Sequence, residues 1–319
     1  VFHEAISWMI QGVLWISRQS YGMLTIGHVP FLWVLLFYFM TGLWIWKKNG
    51  QNRHIRISLA YVIMIILIWI PMARRKSLAF LDVGQGDCFV ADTKSGAIIF
   101  DGGSSSEDQV GRYRILPYMK YLGYQKIQIA VISHMDIDHY SGIKELLEMG
   151  KIKYLGLPEI PKDETMKKII GIAKKRGTTI FYLSRGRQIT TKDGSLKVLH
   201  PQKNSQMEKN AASLVMQGKI LGYRVLLTGD VEKEGEEELL SEELERADIL
   251  KAAHHGSKNS TSNEFLQKVQ PKQTVISCGK QNRYGHPHLE TIHRLQTYRT
   301  KIYRTDRSGA IIFFKRRDG

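Results

Sequence analysis

Two imidazoles and two carboxylates fall within six residues of one another, in the run Ser133-His134-Met135-Asp136-Ile137-Asp138-His139. Imidazole nitrogen and carboxylate oxygen are borderline-to-hard donors for divalent metals. Ligands spaced i, i+2, i+4 and i+5 on a short loop can converge on two adjacent ions. The loop directly follows Ile127-Gln128-Ile129-Ala130-Val131-Ile132, an apolar run of strand length. A merely solvated polar loop rarely alternates His-x-Asp-x-Asp-His at the end of such a strand, so the spacing points to a metal site.

Further apolar runs cover residues 78–83, 97–100, 223–228, 248–253 and 273–277, and each leads to a segment that carries chemistry. These segments are Asp82-Val83-Gly84-Gln85-Gly86-Asp87, Asp101-Gly102-Gly103, Thr228-Gly229-Asp230, His254-His255-Gly256-Ser257 and Asn282-Arg283-Tyr284-Gly285-His286-Pro287-His288. In α/β proteins ligands gather beyond the carboxyl ends of strands, where side chains are free to converge. Helical patterns alternate with the strands. Asp163-Glu164 opens an amphipathic run that stops at Gly177; Val231 to Ala247 is a second; Pro287 to Tyr298 is a third, with proline expected in its first turn. Lys192-Asp193-Gly194 reads as a hairpin turn. The expected architecture for 77–319 is a two-sheet sandwich flanked by helices, with the site along one edge.

Taken together, Asp-Val-Gly-Gln-Gly-Asp, Ser-His-x-Asp-x-Asp-His, Leu-Thr-Gly-Asp, His-His-Gly-Ser and Tyr-Gly-His-Pro-His resemble the metallo-β-lactamase superfamily. Asp136 stands where that pattern usually has its second histidine. Among its branches they look most like the C-terminal domain of the ComEC family of DNA-internalisation competence proteins. The resemblance covers roughly residues 77–319 and implies the αββα sandwich. It also implies two divalent metal ions, zinc or manganese: His134 and Asp136 on one, Asp138, His139 and His255 on the other, and Asp230 bridging. His254 then orients the turn, although the choice between the two neighbouring histidines stays open. Asp138 and Asp230 are the expected catalytic carboxylates. Asp136 in place of an imidazole hardens the site toward manganese. Where the superfamily places another histidine, before the bridging Asp, this chain has Asn210 and Ser213. Asp101 is expected to orient the His134 loop, and Asp82, Gln85 and Asp87 to build turns and support the ligands. Ser257 lies beside the late histidines, Lys258 and Arg283 are candidate phosphate clamps, and His286 is a candidate contact to phosphate or leaving group. The function so implied is a metal-dependent nuclease that hydrolyses phosphodiesters of incoming DNA, joined to an uptake channel. Two alternatives are a non-catalytic DNA-binding gate and a membrane-tethered small-molecule metallo-hydrolase.

The first 76 residues read differently. Phe31 to Trp46 and Ile57 to Met72 are nearly uncharged and apolar, with Trp33, Trp44, Trp46, Tyr61 and Trp69 in and around them. They are expected to be transmembrane helices, short of the usual ~20 residues. The loop between them carries four basic residues, Lys47, Lys48, Arg53 and Arg56, which the positive-inside rule places in the cytoplasm. That would send residues 77–319 to the external face of a multi-pass plasma-membrane protein, although Arg74-Arg75-Lys76 is basic on that side too. Residues 1–30 suit an interfacial helix and loop, or a further partial span. The chain opens on Val1 with no basic leader, and is expected to be a fragment of a longer membrane protein; the resemblance implies a preceding channel domain and a wider DNA-uptake machinery as partners.

Lys and Arg number 46 against 30 Asp and Glu, a net charge of +16. That balance suits a polyanionic partner, nucleic acid or anionic headgroups. Two cysteines, Cys88 and Cys278, are too few for a disulfide scaffold and lack Cys-x-x-Cys spacing.

Overall fold

The structure, a computed structural model, describes residues 2–18, 25, 27–46, 55, 58–63, 75–207 and 210–316. The chain divides into two compact units: Val1–Ala73 with Lys120–Gln125, and Arg74–Met119 with Lys126–Gly319.

In the first unit Phe2–Arg18 and Phe31–Trp46 are helical. The two expected membrane spans are not found. No helix among the described residues is long and apolar enough to cross a membrane. Phe31–Trp46 is apolar throughout, but its 16 residues rise only about 24 Å at ~1.5 Å each, against a hydrocarbon core of ~30 Å. Of the second expected span, residues 58–63 are helical, while 57 and 64–72 lie outside the described residues.

The second unit is two seven-stranded sheets. The first runs in spatial order Ile311–Phe314 (β14), Ser77–Phe80 (β1), Phe89–Thr93 (β2), Gly96–Phe100 (β3), Ile127–Val131 (β4), Ile152–Pro158 (β5) and Thr179–Leu183 (β6). The second runs Lys301–Arg304 (β13), Gln273–Ile276 (β12), Ile249–Lys251 (β11), Tyr223–Leu227 (β10), Val215–Ile220 (β9), Gly194–His200 (β8) and Gln188–Thr191 (β7). One core fills the space between them: Leu78, Phe80, Phe89, Ile98 and Phe100 from the first sheet meet Val198, Leu227, Ile249 and Val275 from the second. Behind the second sheet Leu239, Phe265, Leu266 and Leu295 of three helices pack on Leu226, Leu250 and Ile276. Strands buried on both faces read as continuous apolar runs, which is why these segments stood out in the sequence.

Helix boundaries depart from the sequence reading where capping decides them. Glu164–Lys175 keeps its expected start, with the Asp163 side chain accepting from the Met166 N–H at 2.7 Å. The helix expected over Val231 to Ala247 is only Lys233–Ser241, ending where Glu242 turns extended. Pro287 does not open the helix expected from it. That helix is Leu289–Thr297 with His288 as its extended N-cap, and Pro287 belongs to the preceding loop. The hairpin at Lys192-Asp193 joins β7 to β8, pairing Thr191 with Gly194. Cys88 and Cys278 are buried free thiols.

Parallel pairing carries the chemistry-bearing loops to one edge. Phe100 pairs with Val131, so the chain leaves both strands side by side at Asp101 and Ser133. Leu226 pairs with Leu250 and Lys251 with Val275, which sets 228–230, 252–257 and 277 next to one another.

Candidate metal centre

Four loops meet at this edge, and close backbone approach is a condition of their meeting. Gly229 has φ +52°, and its Cα faces Ser133 and Ser213 so closely that a Cβ would lie 3.0 Å from each of their Cβ atoms. Gly86 packs against the backbone of Gly103, where a Cβ would collide with the carbonyl oxygen. Glycine is required at both positions by space, and at Gly229 by φ as well.

Within this frame Asp101, itself at φ 57°, works through both oxygens. One accepts the Ser133 N–H at 2.7 Å and fixes the loop's departure from β4; the other takes the His139 Nδ1–H at 2.9 Å. His139 therefore turns Nε2 outward, 3.2 Å from Asp230 Oδ2. His255 is oriented in the same manner, its Nδ1–H donating to the Ser277 carbonyl at 2.9 Å. Its Nε2 then lies 3.3 Å from Asp230 Oδ2 and 3.4 Å from Asp138 Oδ2. A carboxylate or carbonyl on the far nitrogen is the usual way a protein orients an imidazole for metal.

These separations test whether an ion fits. Donors about 2.0–2.1 Å from a tetrahedral ion stand roughly 3.3 Å apart, and His139 Nε2, His255 Nε2, Asp138 and Asp230 show three such edges of 3.2, 3.3 and 3.4 Å. The Nε2 atoms of His134, His139 and His255 are all buried without a well-aligned hydrogen bond among the described residues. The donor set fits a divalent ion. Beside it, the His134 ring lies 4.2 Å from His139, tilted by 49°, takes its Nδ1 contact from Ser133 Oγ at 3.0 Å, and has Nε2 3.6 Å from Asp136 Oδ2. His134 and Asp136 form a neighbouring pair, the first buried and the second with its side chain 37% exposed.

Charge balance decides protonation. Burial alone would push His139 and His255 toward the neutral form. Asp230 and Asp101 outweigh it at His139, which is held well above the ordinary imidazole value, and Asp230 and Asp87 carry His255 up to about 10. Burial would likewise raise Asp138, but the His255 hydrogen bond and the His139 charge pull its carboxyl down to about 2. A metal entering this set displaces the imidazole protons.

Not every expected residue sits in this cluster. Asp82 Oδ1 accepts the Gly84 N–H at 3.2 Å and builds the turn, and Gln85 Oε1 ties that turn to Gly279 N–H at 3.1 Å. His254 turns Nδ1 to Glu232 at 2.9 Å and keeps Nε2 3.8 Å from Asp230; of the two neighbours His255 is the one aimed inward. Ser213 Oγ accepts the Asp230 N–H at 3.3 Å, and Asn210 gives its backbone carbonyl to Ser213 N–H. Ser257 caps its own turn through the Asn259 N–H. Lys258 is exposed and lines a separate cavity of about 490 Å³ with Lys233, Glu236 and Arg294, which holds none of the clustered ligands. Arg283 is exposed and hydrogen-bonds Tyr284 Oη at 2.7 Å. His286 is half-buried, and burial, with His255 next, pushes its imidazole down to about 4, so it is neutral near pH 7.

Two residues hold positions that sequence reasoning missed. Asp87, expected to support a turn, has its carboxylate within 4.8 Å of His139, Asp230 and His255 donors. It is also ion-paired to the buried ammonium of Lys251. Lys251 also donates to the Gly229 carbonyl at 2.9 Å and lies 3.4 Å from Asp230 Oδ1. In the sequence it is a lone lysine inside the apolar run Ile249-Leu250-Lys251-Ala252-Ala253, with nothing local to pair it with Asp87.

A model of the metallo-beta-lactamase superfamily matches residues 81–280. The chain belongs to the metallo-β-lactamase superfamily. Among solved structures, the metallo-β-lactamase fold protein YhfI of Bacillus subtilis shares the fold with a TM-score of 0.51 at 14% identity, covering 74% of this chain and 99% of that one. The CmlA β-hydroxylase E377D mutant gives 0.50 at 10%, covering 90% of this chain and 63% of that one. Curated relatives are closer in sequence. ComE operon protein 3 of Bacillus subtilis (strain 168) is 34% identical over 294 residues, 86% of this chain and 38% of the relative. Competence protein ComA of Neisseria gonorrhoeae is 30% identical over 75% of this chain and 32% of its own length. Recombination protein 2 of Haemophilus influenzae is 27% identical over 83% and 32%. This metallo-β-lactamase superfamily chain thus spans about a third of the length of the curated relatives it matches.

Proposed function

We propose that residues 77–319 form a metal-dependent phosphodiesterase that cleaves DNA during uptake, as one part of a larger competence channel protein. The observation that carries this is the buried donor cluster of Asp87, His139, Asp230 and His255, with Asp138 3.4 Å from His255 at its edge, in a chain similar to a protein named for competence. Divalent ions held there would supply Lewis acidity toward a phosphoryl oxygen and acidify water. Manganese or zinc suits this N/O donor set.

The chain's own groups divide the remaining work. Asp230 is 4% exposed and engaged on both oxygens, Oδ2 by two imidazoles and Oδ1 by Lys251, so it holds the cluster in place. Asp138 is 17% exposed, ionised at neutral pH and 3.4 Å from His255 Nε2, and supplies a carboxylate on the solvent side of the cluster. His286, neutral and beside His255, can donate a hydrogen bond to a phosphate oxygen.

The test is incubation of the chain with single-stranded and duplex DNA in defined metals. Cleavage in Mn²⁺ or Zn²⁺ and none in chelator is expected. DNA affinity should fall linearly on a log–log plot against salt, with a slope of about −0.7 per phosphate contacted on single strands, and base identity should matter little to cleavage. Salt-insensitive binding, or rapid turnover of a β-lactam or thioester without DNA cleavage, would replace this reading with the small-molecule hydrolase. Bound DNA that no metal cleaves would leave the gate.

We also place the first unit at the plasma membrane and the second on its external face. Support comes from the loop charge and from large apolar side chains on the first unit's helices, Trp8 76% and Leu32 74% exposed, which water-facing surfaces seldom display in groups. In cells, a cysteine engineered at Ser105 should react with an impermeant thiol reagent while cysteines within residues 49–52 stay protected; the reverse pattern removes the external placement.

A further inference from the structure

A short ladder of rings leads from the metal cluster to the surface. His286 lies over His255 with centroids 6.2 Å apart and planes 30° apart, and Tyr284 lies over His286 at 5.7 Å and 23°. The outermost ring, Tyr284, is 41% exposed. Its hydroxyl is already satisfied by Arg283 Nη2 at 2.7 Å, and the guanidinium carbon stands 4.9 Å from the ring centroid. The loop that presents it is tied down by Asn282, which donates to the Gly279 carbonyl at 2.9 Å and to the His286 carbonyl at 2.6 Å, and accepts the His286 N–H at 2.9 Å. Exposed tyrosines occur elsewhere in the chain, Tyr113 at 65% and Tyr121 at 46% among them. This one is fixed in place, backed by a cation, and left open two ring contacts from the cluster. Ile137 is 54% exposed between the ligand candidates Asp136 and Asp138.

We propose that Tyr284, with Arg283, is a stacking platform for one unpaired nucleobase of the strand whose phosphodiester occupies the metal cluster, so that the preferred substrate is single-stranded nucleic acid. This rests on the phosphodiesterase reading and narrows it. A base paired and stacked within a duplex has neighbours on both faces, so a protein ring can take a base only from an unpaired strand. Such stacking tolerates any sequence, because every base offers a π-face, and the net charge of +16 holds the backbone alongside. The contact belongs to the base and not to the phosphate, and the test turns on that distinction.

Binding of the full chain to fluorescent oligothymidylate, to an abasic oligomer of the same length and to a blunt duplex is measured by anisotropy in chelator, where no cleavage occurs. The wild-type chain should prefer oligothymidylate to the abasic strand by roughly five- to a hundredfold, the range that base–aromatic stacking gives. Tyr284→Ala should lose most of that preference by weakening the oligothymidylate alone, while Tyr284→Trp retains it. Equal affinity of the wild type for the base-bearing and abasic strands, or no binding of either, overturns the platform without need of any variant. An equal loss on both strands in Tyr284→Ala overturns it too. A base preference that persists when no metal supports cleavage would sink the phosphodiesterase reading and leave the platform standing; cleavage with no base preference would do the opposite.

Discussion

Asp138→Ala and Asp230→Asn should each lower metal-dependent DNA cleavage about a thousandfold or more while the far-ultraviolet circular dichroism stays that of the wild type. A metal-polarised transition state draws several kcal/mol from its ion, and about 4 kcal/mol is a thousandfold in rate. Each substitution removes a carboxylate oxygen from the set that spans 3.2–3.4 Å. The choice of replacement follows from burial. Asp138 sits at the mouth, and alanine there leaves no buried charge without a counterion. Asp230 lies among His139, His255 and Lys251, and alanine would leave a gap among these buried groups as well as removing the charge. Asparagine keeps the volume and one acceptor oxygen. The measurement is cleavage of single-stranded DNA across a metal titration, with bound metal counted in the same samples. Retained cleavage by either variant at saturating metal would remove these carboxylates from the chemistry; lost dichroism would reassign them to stability.

Much of this arrangement was legible because buried strands write themselves as apolar runs. Ile127–Val131, Tyr223–Leu227 and Gln273–Ile276 each announce the loop that follows, and parallel pairing then brings those loops together. What the sequence could not show depends on contacts between distant elements. Asp87 leaves the β1–β2 turn and Lys251 ends β11, and only the stacking of two sheets joins them. Which of two adjacent histidines turns inward is set by left-handed backbone at both, φ 48° at His254 and 53° at His255, with the Ser277 carbonyl waiting for the second. Neither fact has a local signature. The short helix over Lys233–Ser241 was over-read because charged residues, and Leu244 that packs on the same core, continue past it, while the backbone turns extended at Glu242. Of the paired membrane spans, the first is described as a helix of 16 residues, too short to cross a bilayer, and most of the second lies outside the described residues.

Lys251 is the position where a substitution should cost the most stability. All three ammonium hydrogens have acceptors, in Asp87, the Gly229 carbonyl and Asp230 Oδ1, and the residue is 4% exposed. Burial would favour the neutral amine, but Asp87 and Asp230 outweigh it and hold the group above its ordinary value. A raised lysine contributes stability that is complete below about 10.5, the unfolded value, and is lost only as pH climbs through the higher folded one. The contribution is therefore constant from neutrality to pH ~10. Lys251→Met keeps the apolar stem and deletes the charge, leaving Asp87 and Asp230 facing each other, so in chelator the loss should be about 3–5 kcal/mol. The double variant Asp87→Asn/Lys251→Met removes both halves of the pair and should recover a large part of it, since deleting a whole buried pair is often near neutral. Denaturant unfolding of the four members of the cycle, at neutral pH and again near pH 9, measures both terms. A single variant as stable as the wild type would mean that Lys251 does not compensate the cluster's carboxylates. A double variant no better than the single would mean that the lysine is held by Asp230 and Gly229, with Asp87 free to serve as a ligand in place of Asp138.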